Sequence, residues 1–127
     1  MVSHNLNIER WVISMTSKMI DDAMKDLAVE AQLVYGKKLK EVILFGSCAR
    51  GDFENDSDVD VMILIDTSKE KIEEENDKIH PIIHKLDRKY NYNLLFSPIV
   101  KSYSEFNYWC DIIPFYNNVN KEGVRYA

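Results

Sequence analysis

Two short apolar runs around a polar, glycine-bearing stretch constrain this chain more than any other feature. They read EVILF (Glu41–Phe45), then GSCARGDFENDS, then DVDVMILI (Asp58–Ile65). Apolar runs of that length, bounded by turn residues, read as buried strands. The second run is unusual at its start, where Asp58 and Asp60 flank a valine. A strand needs no carboxylates to fold, and burying them is costly.

The rest of the chain supplies helices and one more strand. Ile8, Trp11, Met15, Met19, Ala23, Leu27, Ala31 and Val34 recur at helical spacing, which predicts an amphipathic helix over 8–35, broken near Ser14–Ser17. Gly36, followed by Lys37 and Lys38, reads as its stop. Acid- and lysine-rich DTSKEKIEEENDK opens a solvated helix that Ser68 could cap, and Pro81 marks a kink or a fresh helix start. NLLFSPIV (Asn93–Val100) reads as a third strand, with Pro98 favouring an edge position. Ser104–Tyr116 reads as helix disturbed by Pro114, within a C-terminal helical segment over 104–120. Helices and strands in this order predict an α/β (α+β) fold, a small mixed sheet flanked by helices, with a core over 41–100.

A length of 127 residues predicts one domain over 1–127. The net charge of −5 argues against a general nucleic-acid binder, which normally carries a basic face. The N-terminal MVSHNLNIERW lacks the pattern of a signal peptide, and no stretch approaches a membrane span, so no membrane association is expected. Two cysteines, Cys48 and Cys110, make no disulfide framework and fit a cytoplasmic protein with reduced thiols.

The chemistry lies in the first stretch. Gly46-Ser47 follows a strand and precedes a helical turn, a place where backbone N–H groups can meet a phosphate. Taken alone, the pair is more often an ordinary turn. The stretch is no P-loop, because Gly51 is followed by Asp52-Phe53, and it lacks the glycine spacing of a dinucleotide fingerprint. Asp58 and Asp60, at i and i+2 on a strand, face one side about 6–7 Å apart along the chain. Their repulsion is costly unless a cation sits between them, and magnesium suits carboxylates completed by water and phosphates. Alone, such a pair is more often a solvated strand start. DFENDSDVDVMI is no calcium loop, since Ser57 and Ile63 stand where glycine and glutamate are required. The combination is what points to phosphoryl or nucleotidyl transfer: Gly46-Ser47 stands ten residues before Asp58-Val59-Asp60.

With ARG between them, these motifs resemble the nucleotidyltransferase superfamily of DNA polymerase beta, and most closely its minimal nucleotidyltransferases. VILFGSCARGDFENDSDVDVMILI matches the core motif without a gap, and PFYNNVNKEGV is similar to the C-terminal end of these short proteins. The resemblance implies a polymerase beta-like fold with Asp58 and Asp60 as catalytic residues and ligands of one or two magnesium ions. Gly46 and Ser47 would bind the phosphates of ATP, with Ser57 and Arg50 in the same set; Arg50 would steady either the phosphates or the acidic loop. Active members usually carry a third carboxylate on the next strand. Here Asn91, Asn93, Leu95 and Ser97 share a face by alternation, none is acidic, and Asn93 is the expected occupant, a ligand but not a base.

Small members are commonly paired with a HEPN-domain RNase toxin, which they neutralise as antitoxins by transferring AMP from ATP to a toxin tyrosine. The resemblance implies that role here. The alternatives are a nucleotide-binding antitoxin acting by contact alone, and a stand-alone transferase acting on RNA ends or a small alcohol. The oligomeric state, homodimer or hetero-oligomer, stays open.

Other features weigh less. His80 and His84 have a metal-compatible i, i+4 spacing but no third ligand nearby, which favours a structural or surface role. Cys48 reads as a small buried residue, and the run KEKIEEENDK as a solvated helix face. The aromatics Tyr103, Phe106, Tyr108, Trp109, Phe115 and Tyr116 read first as helical core and second as a partner surface.

Overall fold

The computed structural model describes residues 15–127. Helix α1 (Ser17–Tyr35) starts at Thr16, whose hydroxyl accepts from the Met19 N–H at 3.1 Å. The stop expected at Gly36 is present: its φ is 58° and its N–H bonds to the carbonyl of Gln32. The part of the expected helix over 8–14 lies outside the described residues. A 3-10 turn (Gly36–Lys38) leads into β1 (Leu39–Phe45), followed by the single turn α2 (Ser47–Arg50) and β2 (Val59–Ile65). Then come α3 (Ile72–Asp77), α4 (His80–Lys89), β3 (Phe96–Ser102), α5 (Tyr103–Trp109), α6 (Pro114–Glu122) and β4 (Val124–Arg125). Among the described residues no helix is long and apolar enough to cross a membrane.

The sheet is mixed, in the order β3-β2-β1-β4. β1 runs antiparallel to β2 and β4, and β2 runs parallel to β3. A parallel pair needs a crossover, which α3 and α4 provide. The edge position expected from Pro98 holds, as does the fresh helix start at Pro81.

Alternation divides the strands between two faces. One face carries Val42, Leu44, Val59, Val61, Ile63 and Ile65, packed with Leu27, Ala31, Ile83 and Leu86 of α1 and α4 in the main core. The other carries Ile43, Met62 and Leu64, packed with Phe106 of α5 and Val119 of α6 in a smaller core. Each fully buried Leu or Ile contributes about 1.5–3 kcal/mol.

Several expected boundaries shift. β3 begins at Phe96, not Asn93, because Asn91 and Tyr92 adopt positive φ values of 56° and 58° and hold that segment in a turn. Ser68 does not cap α3, which starts at Ile72 with no side-chain cap. Pro114 opens a second helix rather than disturbing one. The polar tail completes α6 and adds β4 to the sheet, where a Cβ on Gly123 would collide with Ile43 and the Val119 carbonyl. Glu75 of α3 is buried, and its backbone carbonyl accepts from the Tyr35 hydroxyl at 2.6 Å. Burial works to raise its carboxyl, but the ammonium groups of Lys78 and Lys38 outweigh that and hold it below the ordinary range.

Candidate active site

The site forms where β1 ends, β2 begins and β3 begins. Register places Phe45, Asp60 and Ser97 side by side across the three strands. This row continues the face of Ile43, Met62 and Ile99, but its members are only half-buried, whereas Ile43 and Met62 are fully covered. The fold therefore presents Asp60 at the uncovered end of an otherwise apolar face.

Gly46 packs directly against that carboxylate. A Cβ built on Gly46 would lie 2.5 Å from Oδ2 of Asp60. Its φ of 73° and ψ of −155° fall in a region that only glycine occupies easily. The turn after β1 and the carboxylate of β2 are thus in contact, as the ten-residue spacing suggested. Ser47 opens the single turn α2, in which the N–H groups of Ala49 and Arg50 already bond to the Gly46 carbonyl, each at 3.1 Å.

Asp58 immediately precedes β2 and is exposed; Asp60 is half-buried. Burial, and then the charge of Asp58, push the Asp60 carboxyl above its ordinary value, with Arg50 pulling the other way. Two carboxylates so placed favour a cation between them. Among the described residues no group of three or more His, Cys, Asp or Glu side chains forms a metal cluster. The donor set fits an oxygen-seeking divalent ion whose remaining ligands are water and substrate phosphate.

The thiol of Cys48 donates to the backbone carbonyl of Asp58 at 3.6 Å, tying the turn after β1 to the start of β2. Burial first, and the nearby carboxylates next, push this thiol up, so it is no ready nucleophile. Nε of Arg50 lies 3.3 Å from Asp52, and Nη1 lies 3.9 Å from Glu122 on α6. Its guanidinium thus holds the acidic loop while its charge reaches Asp60. Ser57 closes the same loop, its hydroxyl accepting from the Glu54 N–H at 2.9 Å. Asp52, Glu54 and Asp56 are exposed in that loop.

The third position differs from expectation. Because β3 starts at Phe96, Asn93 is not in register with Asp60; Ser97 is. Asn93 instead shares a small cavity with Asp58. Asp87 of α4 is buried and accepts from the Phe96 N–H at 3.2 Å, which fixes the start of β3. Burial, more than the charge of Asp58, raises its carboxyl. His80 and His84 are exposed on α4. Of the aromatics, Phe106 is core, while Tyr108, Trp109 and Phe115 are exposed, so the cluster divides between the two readings. Phe115 stacks edge-on against Phe45 at 5.6 Å and lines a cavity of about 230 Å³ with Gly46 and Arg50. The aromatic spacing marks Phe115 as helical core or partner surface but gives no signal that it lies beside Phe45 and Gly46, where a tertiary contact brings it. Ser97 was legible by alternation once the start of the strand is known.

Comparison with known proteins agrees with this geometry. A model of the Nucleotidyltransferase domain family matches residues 28–121. A protein of Methanocaldococcus jannaschii named "Putative protein adenylyltransferase" is 40% identical over 84 residues, covering 64% of this chain and 78% of the relative. A second protein of that organism with the same descriptive name is 32% identical over 106 residues, covering 81% of this chain and 93% of the relative. No solved structure matches the chain.

Proposed function

We propose that this chain, which belongs to the nucleotidyltransferase domain family and is a transferase, moves AMP from ATP to a tyrosine hydroxyl of a HEPN-domain toxin and so acts as its antitoxin. The observation that carries the reading is the contact between the Gly46 turn and the Asp60 carboxylate, with Asp58 beside it. A phosphate-binding turn and a carboxylate pair are the two parts that nucleotidyl transfer needs in one place. The names of the two relatives support a protein acceptor and an adenylyl donor.

Gly46 lets the backbone approach the triphosphate closely, because no side chain stands between the turn and Asp60. Ser47 and Arg50 take the outer phosphates; Arg50 is half exposed and free to exchange Asp52 for a phosphate oxygen. Asp58 and Asp60 would hold the divalent ion, magnesium in this reading. When bound, such an ion neutralises the pair, lowers the acceptor hydroxyl's pKa and screens charge on the leaving oxygen.

A second reading, neutralisation by contact alone, is favoured by one observation: Ser97, not an acid, stands beside Asp60. The test is to incubate the protein with α-labelled ATP, magnesium and a HEPN-domain protein encoded beside it. The first reading expects label on the partner. Full protection of cells with no label would favour the second.

A further inference from the structure

A cavity of about 200 Å³ opens at Asp58, between the acidic loop and the turn before β3, and shares no lining residue with the cavity at Gly46. Asp56, Asp58, Tyr92, Asn93 and Leu95 are among its lining residues. Two successive residues of this turn, Asn91 and Tyr92, have positive φ, which a bulky side chain rarely adopts. The turn is pinned by the Tyr92 N–H on the Asp87 carbonyl at 2.8 Å and by the Asn93 N–H on the Tyr90 carbonyl at 3.0 Å. It leaves Tyr92 63% exposed and Leu95 45% exposed. Folding gains little from holding a tyrosine and a leucine in water at the lip of a cavity that contains Asp58.

The two cavities differ in chemistry. The one at Gly46 carries the Arg50 guanidinium beside the Glu122 carboxylate, whereas the one at Tyr92 carries Asp56 and Asp58 and no cation. A triphosphate belongs with the first. In-line displacement places the attacking oxygen opposite the leaving group. With the triphosphate at the turn after β1, the sheet order β3-β2-β1 would put pyrophosphate on the β1 side of Asp60 and the attacking hydroxyl on the β3 side.

We propose that the Tyr92 cavity is the acceptor site, and that it takes a hydroxyl-bearing side chain on a protein segment with lysine or arginine nearby. This rests on the transferase reading above. The Tyr92 ring and Leu95 clasp the acceptor side chain, the Asn93 amide bonds its backbone, and Asp56 selects the cationic neighbours. The acceptor oxygen bonds to the α-phosphorus as the bond from that phosphorus to the α,β-bridging oxygen breaks. Pyrophosphate departs with that electron pair, and the hydroxyl proton passes to water.

Two short synthetic peptides test this, each with one tyrosine, flanked by lysines in one and by glutamates in the other. With α-labelled ATP and magnesium, the lysine peptide should be labelled with a kcat/KM roughly two- to five-fold higher. Tyr92→Ala should raise KM for the lysine peptide roughly three- to ten-fold while KM for ATP stays unchanged, and Tyr92→Phe should behave as the parent. Tyr92→Gly should lose the acceptor in the same way yet keep or raise Tm, because glycine suits this φ; that separates acceptor binding from a structural role. Equal use of both peptides, or an unchanged KM in Tyr92→Ala, would overturn the acceptor site and leave the transferase standing. Label on a HEPN-domain partner but on neither peptide would do the same. No label on any acceptor would overturn both.

Discussion

The two faces of the sheet are covered to different extents, and the difference locates the chemistry. On the face toward α1 and α4, side chains from Val42 to Ile65 are sealed in one continuous core. On the opposite face α5 and α6 seal Ile43, Met62 and Leu64, but the row of Phe45, Asp60 and Ser97 stays half open. Adjacent residues of one strand therefore do different work: Val59 and Val61 hold the fold, while Asp60 between them faces the opening. Completing the cover with an apolar residue at position 60 would make a better core and remove the site.

Substitutions on each face should separate these roles. The largest effect is expected on the closed face. Leu27→Ala should cost about 2–5 kcal/mol in chemical denaturation while the folded fraction transfers AMP at the parental rate. Loss of transfer out of proportion to unfolding would break the division. At the junction, Gly46→Ala should cost about 1–3 kcal/mol from backbone strain alone. It should also abolish transfer, because the new methyl group would meet Asp60.

A subtler effect concerns pH. Burial and Asp58 raise the folded-state carboxyl of Asp60, so the native state holds this proton more tightly than the unfolded chain does. Stability from this group is therefore present at low pH and falls as pH rises from the ordinary carboxylate value through the raised one. Without metal, Asp60→Asn should melt higher than the parent above that window and level with it below. Other carboxyls are shifted the opposite way, Asp26 being lowered by Lys89 and Tyr90, so the difference between parent and variant is the quantity to follow. Equal melting at all pH values would mean that Asp60 is not held under strain. The smallest effect is expected from Ser97→Asp. It should speed transfer a few-fold by adding an acid beside Asp60, whereas Asn93→Asp should not, being out of register. The reverse order would restore Asn93 to the third position.

Much of this was legible in the sequence, and the losses have physical causes. The two central strands and the turn between them follow from apolar runs and glycine placement; alternation accounts for the facing of Asp60, while Asp58, expected as the first strand residue, lies just before β2. The edge place of β3 followed from Pro98, since proline cannot donate to a neighbouring strand. The start of β3 is not legible because Asn93–Leu95 look extended in composition but follow a positive-φ turn, a conformation that Asn91 permits and Tyr92 does not advertise. With the strand starting at Phe96, Ser97 rather than Asn93 stands beside Asp60. β4 escaped notice because two exposed residues, Val124 and Arg125, carry no periodic signal and pair only through β1. Phe115 and the thiol contact of Cys48 belong to tertiary packing, which spacing alone does not encode.

The most direct measurement pairs Tm with transfer of α-label in the double variant Asp58→Asn, Asp60→Asn. The account predicts a folded protein melting no lower than the parent without metal, with transfer of label to an acceptor reduced about 100-fold or more, roughly 3 kcal/mol of barrier. Transfer at the parental rate, or a collapse in Tm that accounts for the lost activity, would contradict it.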